Sequence, residues 1–220
     1  MESEPFFEQR QKMVSDQIIG AGIRDQRVID AMLTIPREQF VDKELQDLAY
    51  GDHPLSIGEG QTISQPYTVA FMVEALELKP TDRVLEIGAG SGYAAAVLSL
   101  IAREVHTIER IEAIALRAKT RLSVLGFSNV HVHIGDGSQG LAEFSPFDGI
   151  AVTAGGNELP QPLVQQLADG GRLVIPIGWE RDCQTMYRIV RLGDKIHREK
   201  LGNFRFVPLV GRHGWSEPAI

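Results

Sequence analysis

One segment restricts the possible folds more than any other. Val84-Leu85-Glu86-Ile87 runs directly into Gly88-Ala89-Gly90-Ser91-Gly92, and a small-apolar helical stretch follows. A short strand, a glycine turn and a helix start in immediate succession bring bare backbone and free helix N–H groups to one point. Downstream, strand and helix patterns alternate. The spacing predicts strands over 83–87, 104–109, 130–134, 148–153 and 171–177, with helices over 91–102, 110–125 and 160–168. Gly126 stands where a helix C′ residue belongs. Such alternation predicts an α/β fold with a mostly parallel sheet and helices on both faces. After Trp179 the pattern becomes antiparallel: a strand over 183–190, a turn at Leu192-Gly193-Asp194, then strands over 196–201 and 204–209.

Residues 5–80 read as mostly helical. Phe6, Phe7, Met13, Val14 and Ile18 recur at helical spacing, with Gly20 and Gly22 as stop signals. Asp25 is an N-cap candidate before Val28, Ile29 and Met32. Residues 50–66 are rich in Gly and Pro without periodicity and read as a long functional loop. A helix with Val69, Met72, Val73 and Leu76 as its buried stripe resumes at Tyr67.

The 220 residues suit one domain, here a helical extension and covering loop over 1–80 on a core over 81–220. Lys and Arg number 22 against 29 Asp and Glu, a net charge of −7 that disfavours a nucleic-acid partner. The single cysteine, Cys183, excludes an internal disulfide and reads as a core residue. The opening segment has no apolar run and no stretch reaches membrane-span length, so a soluble, cytoplasmic protein is expected; a monomer is expected too, although the sequence does not determine the oligomeric state.

Two further acids stand at strand ends. Glu109 closes the second strand, where a carboxylate can accept from both ribose hydroxyls. That chemistry indicates a nucleoside without choosing between NAD and S-adenosylmethionine. The NAD fingerprint fails when aligned on Gly88, because Tyr93 takes the last glycine's place. Aligned on Gly90 it fits only the relaxed form ending in Ala95. Asp136, in Gly135-Asp136-Gly137, closes the third strand and can accept from an adenine amino group or cap a simple turn.

The ordered set of Glu86-x-Gly88-x-Gly90-x-Gly92, Glu109 and Asp136 resembles the Rossmann-like class I S-adenosylmethionine-dependent methyltransferases. A narrower resemblance spans most of the chain. Gly58-Glu59-Gly60-Gln61-Thr62-Ile63-Ser64-Gln65-Pro66 is similar to the signature loop of the protein-L-isoaspartate O-methyltransferase family. Asp52-x-Pro54, Pro146-Phe147-Asp148, Gly170 to Pro176, Phe206 to Val210 and the lead-in Pro36-Arg37-x-x-Phe40 match it as well. The resemblance implies a repair enzyme that methylates the α-carboxyl of L-isoaspartyl residues in damaged proteins, after which the ester collapses to a succinimide. S-adenosylmethionine would be the methyl donor and S-adenosylhomocysteine the product.

By position, the resemblance makes Ser64 the active-site serine with Thr62 beside it. Glu86, Gly88, Gly90, Gly92, Glu109, Asp136 and Gly137 become cofactor residues, and Ile63, Val207, Pro208 and Leu209 substrate residues. Two segments depart from the family pattern: Ala154-Gly155-Gly156-Asn157, and Gly211-Arg212-His213-Gly214-Trp215. Alternatives are the same fold acting on RNA or a small molecule, a binding domain without turnover, and a dehydrogenase. A Ser-His-Asp hydrolase lacks its nucleophile elbow. His131 and His133 share a strand face without a third metal ligand at a credible spacing, so no metal is expected. His53 and His213 lie in loops near the matched segments.

Overall fold

The computed structural model describes residues 6–180 and 183–216. Helix α1 (Phe7–Met13) continues as a π-helical stretch, Val14–Ile19, before Gly20. Helix α2 (Gln26–Thr34) is capped by Asp25, whose carboxylate accepts from the Arg27 N–H at 2.9 Å. A hairpin follows, β1 (Leu55–Gly58) against β2 (Gln61–Ile63), and then helix α3 (Pro66–Ala75). Segment 50–66 is therefore not the unstructured loop its composition predicts. Leu55, Ile57 and Ile63 point inward in alternation, and the Gly58-Glu59-Gly60 tip takes positive φ throughout. That alternation is too short to stand out among the surrounding Gly and Pro.

The core units follow in order: β3 (Arg83–Ile87), α4 (Tyr93–Ser99), β4 (Glu104–Glu109), α5 (Glu112–Val124), β5 (Val130–Ile134), β6 (Phe147–Val152), α6 (Gln161–Gln165), β7 (Leu167–Glu180), β8 (Cys183–Leu192) and β9 (Lys195–Phe204). The seven-stranded sheet runs β5-β4-β3-β6-β7-β8-β9. Strands β3 to β7 pair in parallel, and β8 and β9 add antiparallel. The chain winds outward from β3 to β5, then crosses back to place β6 on the other side of β3. That reversal opens a crevice at the carboxyl ends of β3 and β6, where ligands bind in open α/β sheets.

Alternate strand residues supply two apolar layers. Val84, Val105, Ala151 and Val174 face the N-terminal helices, α3, α4 and α5 in one cluster. Leu85, Ile87, Ile108, Ile150 and Val152 face α6 and the short turns after β5 in the other. Residues 13–78 share the first cluster with the sheet, so the N-terminal segment is packed into the core. Glu74 adds a polar tie, accepting from the Arg24 and Asp25 N–H groups at 2.6 and 2.7 Å.

Three sequence expectations need correction. Helix α6 stops at Gln165 because Leu167 already pairs with Phe147 at the start of the long strand β7. Phe204–Leu209 is not a strand: Phe204 ends β9, and beyond it stand isolated bridges, Pro208 with Gly155 and Val210 with Trp215. Pro208 has no N–H for a ladder, which limits pairing there. Cys183 is exposed, not core; the β8 alternation turns Gln184 and Met186 inward instead.

Candidate active site

The glycine turn after β3 is shaped by its own backbone. Gly88 and Ala89 both donate to the Ile108 carbonyl, at 2.8 and 3.2 Å, and so fasten the turn to β4. Gly88 has φ 98°, and a Cβ there would stand 2.6 Å from Thr153 Oγ1. Gly92, at φ 89°, has a different task. As the residue before α4 it lets that helix approach α5, since a Cβ would press on Leu122 at 3.1 Å.

Glu109 holds the turn from the opposite side. One carboxylate oxygen accepts from the Gly90 N–H at 3.1 Å and the other from the Ile111 N–H at 3.0 Å. The loop and the acid are thus pre-set against each other. Glu86 lies deeper, 1% exposed, and accepts from the Thr107 hydroxyl at 2.5 Å. Burial pushes its carboxyl up to about 8; the Thr107 hydrogen bond opposes the rise and the nearby Glu109 charge adds to it. Gly137 completes this side, where a Cβ would collide with Ile87.

The facing wall comes from the hairpin and from the segment after β9. Thr62 is exposed, Ile63 buried and Ser64 half-buried just before α3. Val207, Pro208 and Leu209 are fixed by two backbone bonds of 2.8 Å, from Gly155 N–H to the Val207 carbonyl and from Leu209 N–H to the Gly155 carbonyl. Between the walls lies a cleft with about 770 Å³ of empty space. Thr62, Ile63, Ser64, Glu86, Gly88, Gly90, Glu109, Gly137 and Val207–Leu209 all line it. Of the residues predicted from sequence, Gly92 and Asp136 do not. Asp136 lies in an adjoining pocket that shares Arg110 and Val210 with the cleft. Burial works to raise its carboxyl, but hydrogen bonds from Arg212, Ser138 and Gln139 outweigh that and hold it below the usual range. Tyr93, Arg110 and Thr153 also line the cleft and were not foreseen. Thr153 follows β6 at the sheet's reversal, a position that could have flagged it.

The family profile of protein-L-isoaspartate(D-aspartate) O-methyltransferase matches residues 8–214. A protein from Roseiflexus sp. (strain RS-1) named protein-L-isoaspartate O-methyltransferase is 55% identical over 211 residues, 96% of each chain. This chain belongs to the protein-L-isoaspartate O-methyltransferase family. Among solved structures, a protein-L-isoaspartate O-methyltransferase superposes with TM-score 0.85 at 34% identity, over 93% of this chain and 67% of that one. A Plasmodium falciparum protein described by the same activity, in complex with S-adenosyl-L-homocysteine, gives TM-score 0.77 at 26% identity, over 90% of this chain and 96% of that one.

The cleft fits the cofactor of a protein-L-isoaspartate O-methyltransferase on its own chemistry. It offers bare glycine backbone, a carboxylate fixed by two N–H groups and a second, buried acid beneath. The segments Ala154–Asn157 and Gly211–Trp215, singled out in the sequence, meet in one feature. The Trp215 indole N–H donates to the Gly155 carbonyl at 3.0 Å. The turn it belongs to is latched to the strand β5 exit, with Arg212 N–H on Asp136 at 2.8 Å and His213 N–H on the Ser138 hydroxyl at 2.9 Å. His131 and His133 lie away from the cleft beside His106, whose Nδ1 is 3.0 Å from His133 Nε2. Burial pulls His106 down to about 4.

Proposed function

We propose that this chain transfers a methyl group from S-adenosylmethionine to the α-carboxylate of L-isoaspartyl residues in damaged proteins and peptides, and that Ser64 positions that carboxylate. The donor supplies a methyl group on a sulfonium, a strong electrophile. The observation that carries the reading is the placement of Ser64 across one cleft from the Gly88–Gly90 turn and Glu109. An α-carboxyl with an ordinary pKa of about 3.3–3.7 is ionised near neutrality, so the reaction needs no general base. None of the residues lining the cleft is a histidine. What remains for the chain is orientation and exclusion of water.

A hydroxyl suits that task. Ser64 can donate one hydrogen bond to a carboxylate oxygen and fix its direction without neutralising its charge, as a cation would. Exposed Thr62, two residues before Ser64 and also lining the cleft, extends the polar rim. Val207–Leu209 presents a short backbone edge to the substrate peptide, with Ile63 as the apolar floor. Glu86 and Glu109 supply negative charge for a cationic cofactor, and Gly137 lets the β5 exit come close. The methyl ester then closes to a succinimide, a step of the substrate's own backbone. The substrate is an isoaspartyl protein or peptide rather than nucleic acid, and the chain works as a monomer in this reading. No helix among the described residues is long and apolar enough to cross a membrane.

The test is methyl incorporation into a synthetic peptide containing one isoaspartate, against the same peptide containing aspartate. Transfer to the isoaspartyl peptide alone is expected. Equal transfer to both, or to neither, would overturn the acceptor assignment.

A further inference from the structure

Beneath the Ser64 wall lies a charge that the methyl-transfer chemistry leaves without a task. Arg37 sits in the single helical turn Arg37–Phe40, and its side chain is wholly buried. Nε donates to the Ala49 carbonyl at 2.7 Å, and Nη2 donates to the Ser64 carbonyl at 2.8 Å. The guanidinium carbon stands 4.7 Å from the centre of the Tyr93 ring, and Tyr93 lines the cleft. Nη1 has no hydrogen-bond partner. Both acceptors are neutral carbonyls.

Burying a cation in this way opposes folding. An apolar side chain of similar volume would fill the space without the desolvation penalty. The geometry shows what the guanidinium does instead. Ala49 precedes the β1–β2 hairpin and Ser64 follows it, so one planar fork closes the base of the segment that carries Thr62, Ile63 and Ser64. Fixing the Ser64 carbonyl fixes the peptide plane after Ser64 and, through the backbone, the position of the Cβ that carries its hydroxyl. A lysine cannot reproduce this, because its ammonium is a single point and does not span two acceptors in a set plane.

We infer that Arg37 is a positioning residue for methyl transfer, acting through the backbone of Ser64 to hold its hydroxyl at the acceptor carboxylate. The inference rests on the Ser64 reading above. It requires that loss of the fork disturb turnover while the cofactor side of the cleft, built on β3 and β4, stays intact.

The experiment is a double-mutant cycle with Arg37→Lys, Ser64→Ala and the double variant, using an isoaspartyl peptide. Rates are expressed per cofactor site counted by calorimetry. In Arg37→Lys, kcat is expected to fall about 10- to 100-fold, the size of effect that lost orientation gives, with S-adenosylmethionine affinity within twofold of the parent. In the Ser64→Ala background the same substitution should cost less than threefold, because the group it positions is gone. Arg37→Met, which keeps the bulk and removes the donors, should behave like Arg37→Lys. A kcat within twofold of the parent, or an equal loss in both backgrounds, would overturn the assignment. So would failure of both Arg37 variants to fold into a cofactor-binding form, which would make the guanidinium a folding requirement. If Ser64→Ala alone keeps full activity, the Ser64 reading falls first, and the cycle shows that separately.

Discussion

Glu86 makes the pH dependence of this protein calculable. It is buried at the cleft floor with a carboxyl pushed up from 4.5 to about 8. The native state therefore holds a proton that the unfolded chain gives up above pH 4.5. Stability from this group is greatest below pH 4.5, declines as pH rises to about 8, and levels off above that. A shift of this size corresponds to about 5 kcal/mol across the window. Against a total stability of roughly 5–15 kcal/mol that is a large fraction. Glu86→Gln keeps the shape and removes the titration. The variant should lose the decline between pH 5 and pH 9, and its gain over the parent should grow with pH, by about 2–4 °C in Tm per kcal/mol. Cofactor binding tests the same carboxyl independently. A cationic ligand over Glu86 favours the ionised form, so binding at pH 7 should release close to one proton. Calorimetry in two buffers of different ionisation enthalpy measures this, and Glu86→Gln should abolish the release. Parallel stability curves for parent and variant between pH 5 and pH 9 would refute the reasoning, as would proton release that survives the substitution.

Other outcomes follow from the same geometry. Glu109→Ala removes charge-assisted hydrogen bonds worth roughly 1.5–3 kcal/mol each, so S-adenosylmethionine affinity should fall by about one to two orders of magnitude for each ribose bond lost; unchanged calorimetric affinity with a normal melting curve would remove Glu109 from the site. Gly88→Ala places a methyl group on Thr153 at a left-handed φ, and should destabilise by about 1–3 kcal/mol in chemical denaturation. Gly90→Ala, also at a positive φ, meets Ile57 at 3.5 Å and the Gly88 carbonyl at 4.0 Å, both ordinary contacts, so its effect should be the smaller of the two; the reverse order would contradict the packing. Ser64→Ala should reduce turnover about 10- to 100-fold with cofactor affinity nearly intact. Full activity in the Ser64→Ala, Thr62→Ala double variant, or a methylated Ser64 found by mass spectrometry, would contradict a positioning role.

The half of the cleft built on β3 and β4 was legible in the sequence because its parts are local. The strand pattern Val84–Ile87 stops at Gly88, and the strand ending at Glu109 stops at a charge pair, so those strand limits and the acids they carry could be read directly. The substrate half depends on contacts between distant segments. The apolar character of Val207–Leu209 predicts a strand, but its single bridge is set by Gly155, which no local pattern reveals. Asp136 was read as a ligand group from its place after β5, yet the Gly211–Trp215 turn supplies donors to it from the far end of the chain. Arg37 stood in the sequence only as part of the Pro36-Arg37-x-x-Phe40 match, with no role, because a lone arginine in a polar stretch normally faces water. Only the fold shows it buried under Ser64.

The Trp215 latch also makes the protein its own optical sensor. The chain has two tryptophans. Trp179 is 78% exposed at the end of β7 and emits as an indole in water does, whatever the cleft contains. Trp215 is half-buried, hydrogen-bonded to Gly155, and faces Arg110 and Asp136 in the pocket that opens from the cleft. Its emission therefore follows the polarity and occupancy of that rim. In a Trp179→Phe background the remaining fluorescence comes from one indole, in the pocket that adjoins the cleft. Arrival of a ligand there can then be timed in a stopped-flow instrument without any attached dye.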